Sequence, residues 1–477
     1  MNTHESTGEN PVFDILISGG IVIDGTGSPR YQADIGIKGD AIVAIGELPE
    51  SSGATVIDAT NKVVAPGFVD VHNHSDSWLL NTPNFISKTS QGFTTEVIMA
   101  DGISYAPVDR CTAADWVYYL QSLDGLYPHE YTGWESLQDY MNLIDGKNVQ
   151  NVMTHIPYAN LRSMACGFGR QRVDDFQMKQ ICADVRKGME AGAVGLSTGL
   201  DYVAQCFSTT DELVEACQAM AEYDGLYVSH IRYKKSLMPA IEELVEIGKR
   251  AGVKVHISHM KGQHPGQAEE ALEYIDKVAR HEVDISFDVY PYQPGSTMLH
   301  FLLPYEVFED GPKKAIEKLK QPEMQLRFKY GLENYLLDIS AIQIAWVLTE
   351  KNKQHQGKSL SQYVEESGLP KEEALINLLI EASQFLRRDV AGVRIQLFDH
   401  ATQRCFEQLA AIDILDVVSI DLLERIDKGL HQLKVVVLFR SGLGFILSVD
   451  RAHHQHKDES PQSSNSPTHV KRHNRRS

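Results

Sequence analysis

The 477 residues are 43% hydrophobic and 23% charged, which gives enough apolar material for a sizeable core in a chain larger than one ordinary domain. Lys and Arg number 45 against 64 Asp and Glu, a net charge of −19, and that balance speaks against non-specific binding to nucleic acid or to acidic membranes. The opening residues lack the basic and apolar regions of a signal peptide, no run approaches about 18 consecutive apolar residues, and the six cysteines lie scattered without CxxC spacing. Together these features predict a cytoplasmic protein with reduced thiols and no membrane span.

From residue 12 to residue 64, short apolar runs alternate with Gly-rich turns, as in Asp14-Ile-Leu-Ile-Ser-Gly19-Gly20 and Ile21-Val-Ile-Asp24-Gly25. The pattern predicts a small antiparallel β-domain. From residue 65 to residue 385, strand-like runs alternate with amphipathic helices, the rhythm of a parallel α/β fold, and the length favours a (β/α)8 TIM-like barrel. The clearest strands are 193–197, 226–230, 253–259 and 283–288. Thr209 and Glu212 read as a capping box, Gly225 as the stop of the helix that follows, and Gly252 as the stop of the next. The Trp- and Tyr-rich stretch 112–145 predicts extra helix whose aromatics serve packing. Residues 386–450 are atypical, leaving the barrel incomplete by this reading, and 451–477, basic and rich in Ser, Pro and His, read as a disordered tail.

The strongest chemical signal is Pro66-Gly-Phe-Val-Asp-Val-His72-Asn-His74. Residues two apart on a strand point the same way, so His72 and His74 project together where barrel active sites are built. Two further histidines, His230 and His259, each end an apolar run with Ser-His. Parallel strands bring such ends together, and four converging imidazoles suit a divalent cation, zinc by preference. His155 also closes a strand-like run and could reach the mouth, whereas His256 points to the other side of its strand and reads as structural.

The lead-in and its HxH motif are similar to the amidohydrolase superfamily. With Gly195-Leu-Ser-Thr-Gly-Leu-Asp-Tyr202, Ser229-His-Ile-Arg232, Ser258-His-Met-Lys261 and Asp288-Val-Tyr-Pro-Tyr292, the chain from about residue 14 to 385 resembles the D-aminoacylase branch, the N-acyl-D-amino-acid deacylases. This resemblance implies that His72, His74, His230 and His259 are metal ligands for one or two zinc ions. It implies that Asp101, in Met99-Ala-Asp101-Gly-Ile-Ser104, stands where the family often has a cysteine ligand. Tyr202, Lys261 and Tyr292 match residues expected to hold the carboxylate of a small N-acyl amino acid, and Arg232 serves either there or in a structural ion pair. The implied reaction is hydrolysis of the amide bond by a metal-activated water, with a strand-eight Asp as general acid/base.

That Asp has no clear counterpart. Asp399 ends the run 393–399, which by its order reads as strand seven, and Asp450 is a weaker candidate. A shift into unrelated sequence after Leu386 accounts for this economically. Two alternatives stand beside the hydrolase: a non-catalytic relative that keeps the metal-binding wall, and a hydantoinase-like cyclic amide hydrolase. The latter typically uses a carboxylated Lys between two metals, for which no match is found. Oligomeric state is not legible.

Overall fold

The computed structural model describes residues 12–384, apart from positions 263, 265, 293, 336 and 348, and beyond them four strand segments. Asp399, Asp450, His453, His454, His456 and the tail 451–477 lie outside the described residues.

The chain opens with a five-stranded sheet: β1 (Phe13–Val22), β2 (Tyr31–Lys38), β3 (Ala41–Gly46), β4 (Gly53–Asp58) and β5 (Val63–Val64). It is mixed rather than antiparallel, because β1 pairs antiparallel with β2 but parallel with β4 and β5. The Gly19-Gly20 pair is not a turn. It lies inside β1 at a register shift against β2, with Gly19 at φ +74°, a left-handed conformation that favours glycine in a bulge. Val22, Ala33, Ile35, Ala59 and Val64 form a small apolar cluster separate from the main core.

The next strands are β6 (Phe68–Asp70), β7 (Phe93–Ile98), β8 (Asn151–Thr154), β9 (Ile156–Pro157), β10 (Gly195–Gly199), β11 (Leu226–His230), β12 (Lys254–Ile257) and β13 (Ile285–Phe287). All their pairings are parallel, in the order β6-β7-β8 and β9-β10-β11-β12-β13. His155 alone separates β8 from β9, so the two sheets are one chain-continuous row of seven strand positions. Helices connect them: Asp175–Glu190 leads into β10, Thr210–Gln218 into β11, Leu237–Ala251 into β12 and Gln267–Lys277 into β13. Ser197, Ser229 and Ile257 are fully buried, as expected of strands covered on both faces. The row curls, since His72 beyond its first strand and Asp288 beyond its last approach to 3.8 Å. This mixed α/β architecture places every strand's C-terminal end at one mouth. No helix among the described residues is long and apolar enough to cross a membrane.

Local expectations hold in part. Gly252 takes φ +71° and donates to Gly248, ending its helix as read. The helix after Thr209 stops at Gln218, well before Gly225, and Asp224 rather than Gly225 adopts the left-handed turn. Thr209 accepts the Glu212 N–H, but Glu212 does not reciprocate. Its carboxylate turns inward to accept from Arg162 Nε at 2.9 Å and from the Tyr158 hydroxyl at 2.5 Å. Residues 112–145 give two helices, Ala113–Asp124 and Leu137–Ile144, and Trp116 is fully buried in the main core.

After β13 the parallel pattern stops. Strands β14 (Pro294–Met298), β15 (Ile342–Val347) and β16 (Val393–Phe398) make a separate sheet in which β16 lies between the other two, antiparallel to both. The run 393–398 is therefore not strand seven of the parallel row, and β13 holds that place. Within 386–450, three further strands, Asp416–Ile420, Lys434–Leu438 and Ile446–Val449, pair antiparallel.

Arg162 is fully buried, and its guanidinium also donates to the carbonyls of Gly169 and Gln171. Glu212→Ala leaves that cation without its counter-charge and is expected to cost about 3–5 kcal/mol. Urea unfolding measures it; a loss below about 1 kcal/mol would show that the pair is not the buried anchor described.

Candidate metal centre

Each histidine reaches the mouth by a different local route. His72 and His74 follow the end of β6, and their rings stand 5.6 Å apart, edge to face. His230 is the last residue of β11. His259 lies two residues past β12 at φ +39°, held there by its N–H donating to Asp288 Oδ1 at 2.7 Å. Asp101 follows β7 in a tight turn with φ +57°, a left-handed conformation that Asp tolerates better than most residues.

That turn is clamped against β10. Gln205 donates from Nε2 to the Asp101 carbonyl at 2.8 Å, and its Oε1 accepts from the Gly199 N–H at 2.9 Å. Gly102 donates to Ser197 Oγ at 3.2 Å. The approach leaves no room for a side chain: a Cβ on Gly199 would lie 2.4 Å from the Asp101 carbonyl oxygen, and one on Gly102 2.3 Å from Gln205 Oε1.

The Asp101 carboxylate stands among all four imidazoles. Oδ2 is 3.4 Å from His74 Nε2 and 3.9 Å from His230 Nδ1, while Oδ1 is 3.7 Å from His72 Nε2 and 3.6 Å from His259 Nε2. His230 Nδ1 and His259 Nε2 are 3.1 Å apart. Asp101 is 2% exposed, and its Oδ1 lacks a hydrogen-bond partner, as does His72 Nδ1. A buried carboxylate oxygen left in this way is costly unless a cation meets it. Tetrahedral zinc with bonds of about 2.0–2.1 Å places its ligand atoms about 3.3–3.4 Å apart, close to the separations seen here. Two groups of potential ligands form, His72-His74-Asp101 and Asp101-His230-His259, with all ligand atoms of each within 4.8 Å of one another. Asp101 belongs to both, so the residues fit one ion or a bridged pair.

Protonation favours a cation as well. Burial resists ionisation of Asp101, but His72, His259 and His74 outweigh it and hold the carboxyl well below its usual range. Burial, reinforced by the Lys261 ammonium, pushes His259 down to about 3, and burial lowers His72 too. Neutral imidazoles around a carboxylate are the forms in which these side chains ligate.

The other predicted site residues divide. The Tyr202 ring packs 4.8 Å from that of His230 and is 7% exposed. Lys261 places Nζ 3.3 Å from His259 Nδ1, above the Tyr233 ring at 4.5 Å. Tyr292 is half exposed, and it is Tyr290, two residues earlier, whose ring comes within 6.4 Å of that of His259. Arg232 is committed elsewhere: Nε donates to Glu243 at 2.8 Å, and its terminal nitrogens bond the carbonyls of Leu200, Cys206 and Ser208. Of the two readings of Arg232, the geometry matches the structural ion pair. His155, 3% exposed, lies in the interior near His256 and His72 and does not join either ligand group. His256 is not turned away. It bonds Asp288 Oδ2 at 2.9 Å and Ser286 Oγ at 2.7 Å, on the same side as His72.

Two carboxylates were missed. Asp288 directly follows an apolar run, as His230 ends one, and that position was the available signal. It supports the His259 backbone and His256, and is held down to about 2: burial opposes this, but His72, His256 and His259 prevail. Asp201 contacts His230 Nε2 at 3.3 Å, and nothing but its place beside Tyr202 marked it.

The sequence model of the amidohydrolase family matches residues 55–328. The chain is 34% identical over 299 residues to D-aminoacylase of Alcaligenes xylosoxydans xylosoxydans, covering 62% of this chain and 60% of that one. It is 33% identical over 292 residues to N-acyl-D-aspartate deacylase of the same organism, covering 60% and 57%. It thus spans about 60% of the length of the curated relatives it matches. Among solved structures, it is similar to N-acyl-D-glutamate deacylase of Bordetella bronchiseptica, complexed with zinc and a phosphonate mimic of the tetrahedral intermediate. The TM-score is 0.65 at 28% identity, over 83% of this chain and 74% of that one.

Because the β10 strand end and the Asp101 turn touch without space for a methyl group, Gly199→Ala is expected to destabilise the protein by about 1–3 kcal/mol through overpacking. Chemical denaturation measures it, and an unchanged midpoint would show that the close approach is not maintained.

Proposed function

Because the chain belongs to the amidohydrolase family, we propose that it hydrolyses the amide bond of N-acyl-D-amino acids at a zinc centre held by His72, His74, Asp101, His230 and His259. One observation carries this reading: two ligand groups at the mouth of a parallel row share a single buried carboxylate. The seven parallel strands are then seven of the eight in a (β/α)8 barrel. An ion at the centre supplies a nucleophilic water at neutral pH and polarises the amide carbonyl.

The residues around the ions do the rest. Lys261 stands beside His259 with its ammonium at the rim and suits the substrate carboxylate. Tyr202, packed against His230, is kept neutral by burial and donates its hydroxyl. Tyr292, half exposed, is proposed as a further donor to that carboxylate. The leaving amine needs a proton. Among the described residues, Asp101, Asp201 and Asp288 are the carboxylates that contact these imidazoles, and Asp201 and Asp288 are occupied in holding histidines. The general acid/base is assigned to a residue outside the described ones, with Asp399 the candidate. The second reading, a metal-binding relative without turnover, draws on the antiparallel course of β16, which removes the strand before Asp399 from the parallel row.

Protein dialysed against zinc is expected to retain one to two ions per chain by elemental analysis, and His230→Ala or His259→Ala to lose most of them. Unchanged content in both variants refutes the ligand assignment. A panel of N-acetyl-D-amino acids separates the readings, since zinc retained without turnover of any member selects the non-catalytic one. With an active substrate, Lys261→Ala is expected to raise KM roughly tenfold or more, from a lost charged hydrogen bond of about 1.5–3 kcal/mol. An unaltered KM removes Lys261 from carboxylate binding.

A further inference from the structure

Asp201 follows the end of β10 and is 3% exposed. Three groups, two at or just past the end of β11 and one from a distant segment, converge on its carboxylate. The Lys234 backbone N–H donates to Oδ2 at 3.0 Å, and the Tyr305 hydroxyl donates to Oδ1 at 3.0 Å. His230 brings Nε2 to 3.3 Å from Oδ2. The other nitrogen of that ring, Nδ1, faces the ligand cluster, 3.1 Å from His259 Nε2 and 3.9 Å from Asp101 Oδ2.

A neutral imidazole has one N–H and one lone pair. For His230 to offer a lone pair at Nδ1, its proton must sit on Nε2, and a carboxylate at that nitrogen accepts it. We infer that Asp201 is a positioning residue for the metal centre: it fixes the tautomer and ring plane of His230 so that Nδ1 points at the ion. The inference rests on the reading of His230 as a ligand. Tyr305 and Lys234 in turn fix the carboxylate, so the ring is aimed by a buried carboxylate that is itself anchored. Carboxylates behind histidine ligands act in this way in general, and their loss commonly weakens metal binding about 10–100-fold. The amide of Asp201→Asn keeps the shape and still accepts from Lys234 or Tyr305. It can also turn its NH2 toward Nε2, which favours the opposite tautomer and places a proton on Nδ1.

The test is zinc affinity by competition with a chromophoric chelator, on wild type and Asp201→Asn, beside urea unfolding of both zinc-free proteins. A Kd raised 10–100-fold with a similar unfolding midpoint supports the inference. A zinc Kd unchanged from wild type overturns it and leaves the metal-centre reading intact. A lower midpoint with an unchanged Kd also overturns it, because Asp201 is then only a loop anchor. If wild type binds no zinc, the metal-centre reading falls on its own. A second measurement needs no variant: nitrogen-15 NMR of the histidine rings in zinc-free wild type is expected to show His230 protonated at Nε2. A proton found at Nδ1 overturns the inference, even where Asp201→Asn fails to fold.

Discussion

A carboxylate closed in among four imidazoles is an electrostatic problem that the rest of the mouth is arranged around. Asp101 is almost without solvent, and one of its oxygens has no hydrogen-bond donor. Isolated in a protein interior, such a group would take up a proton. Here burial is outweighed by His72, His259 and His74, which hold the carboxyl well below its usual range, and burial in turn lowers His72 and His259. The result is a buried negative charge amid imidazole nitrogens, which a divalent cation suits. The same carboxylate serves both ligand groups, so displacing it disturbs both.

The fold supplies the precision that such a set demands. None of the five side chains lies near another in sequence except His72 and His74, so the others meet only if the parallel row curls with its strand ends in register. The Asp101 turn is locked to β10 through Gln205, and the His259 backbone is tied to Asp288 beyond β13. Asp288 then reaches back toward His72 at the other end of the row. Asp101, His230 and His259 are thus each braced by a strand end other than their own, and a shift in one strand would be felt across the mouth. Rigid bracing of this kind is what keeps ligand atoms within a few tenths of an ångström of productive geometry.

Much of this was legible because period and position carry information. The Ser-His endings at His230 and His259 follow from the common direction of parallel strands, whereas His72 and His74 reach the cluster from the chain past β6 rather than by alternation along a strand. Asp101 was legible only through the context around it, since a loop aspartate before glycine is ordinary turn chemistry. What escaped depended on tertiary pairing. Glu212 looked like half of a capping box until Arg162, fifty residues earlier, claimed it. Arg232 looked available for substrate until Glu243 and three carbonyls absorbed it. His256 was assigned to the far side of its strand, yet Asp288 draws it inward. Only its place after an apolar run marks Asp288, and no local pattern marks Asp201 as a support, because its meaning lies in what it touches.

Binding a cation and hydrolysing an amide place different demands on this architecture. The first needs lone pairs held in place, and the described residues provide them with a second layer behind. The second also needs a carboxylate whose proton affinity changes hands during the reaction. Asp288 is unsuited: an N–H and an imidazole occupy its two oxygens, and it is held down to about 2. Asp201 is likewise taken up by three partners. A group that stabilises its neighbours by staying ionised cannot also serve as a proton shuttle without giving up that support. The division of labour therefore assigns positioning to the carboxylates already at the mouth. On the proposed reading proton transfer needs a further carboxylate, so the wall of ligands and the power to turn over are separable properties.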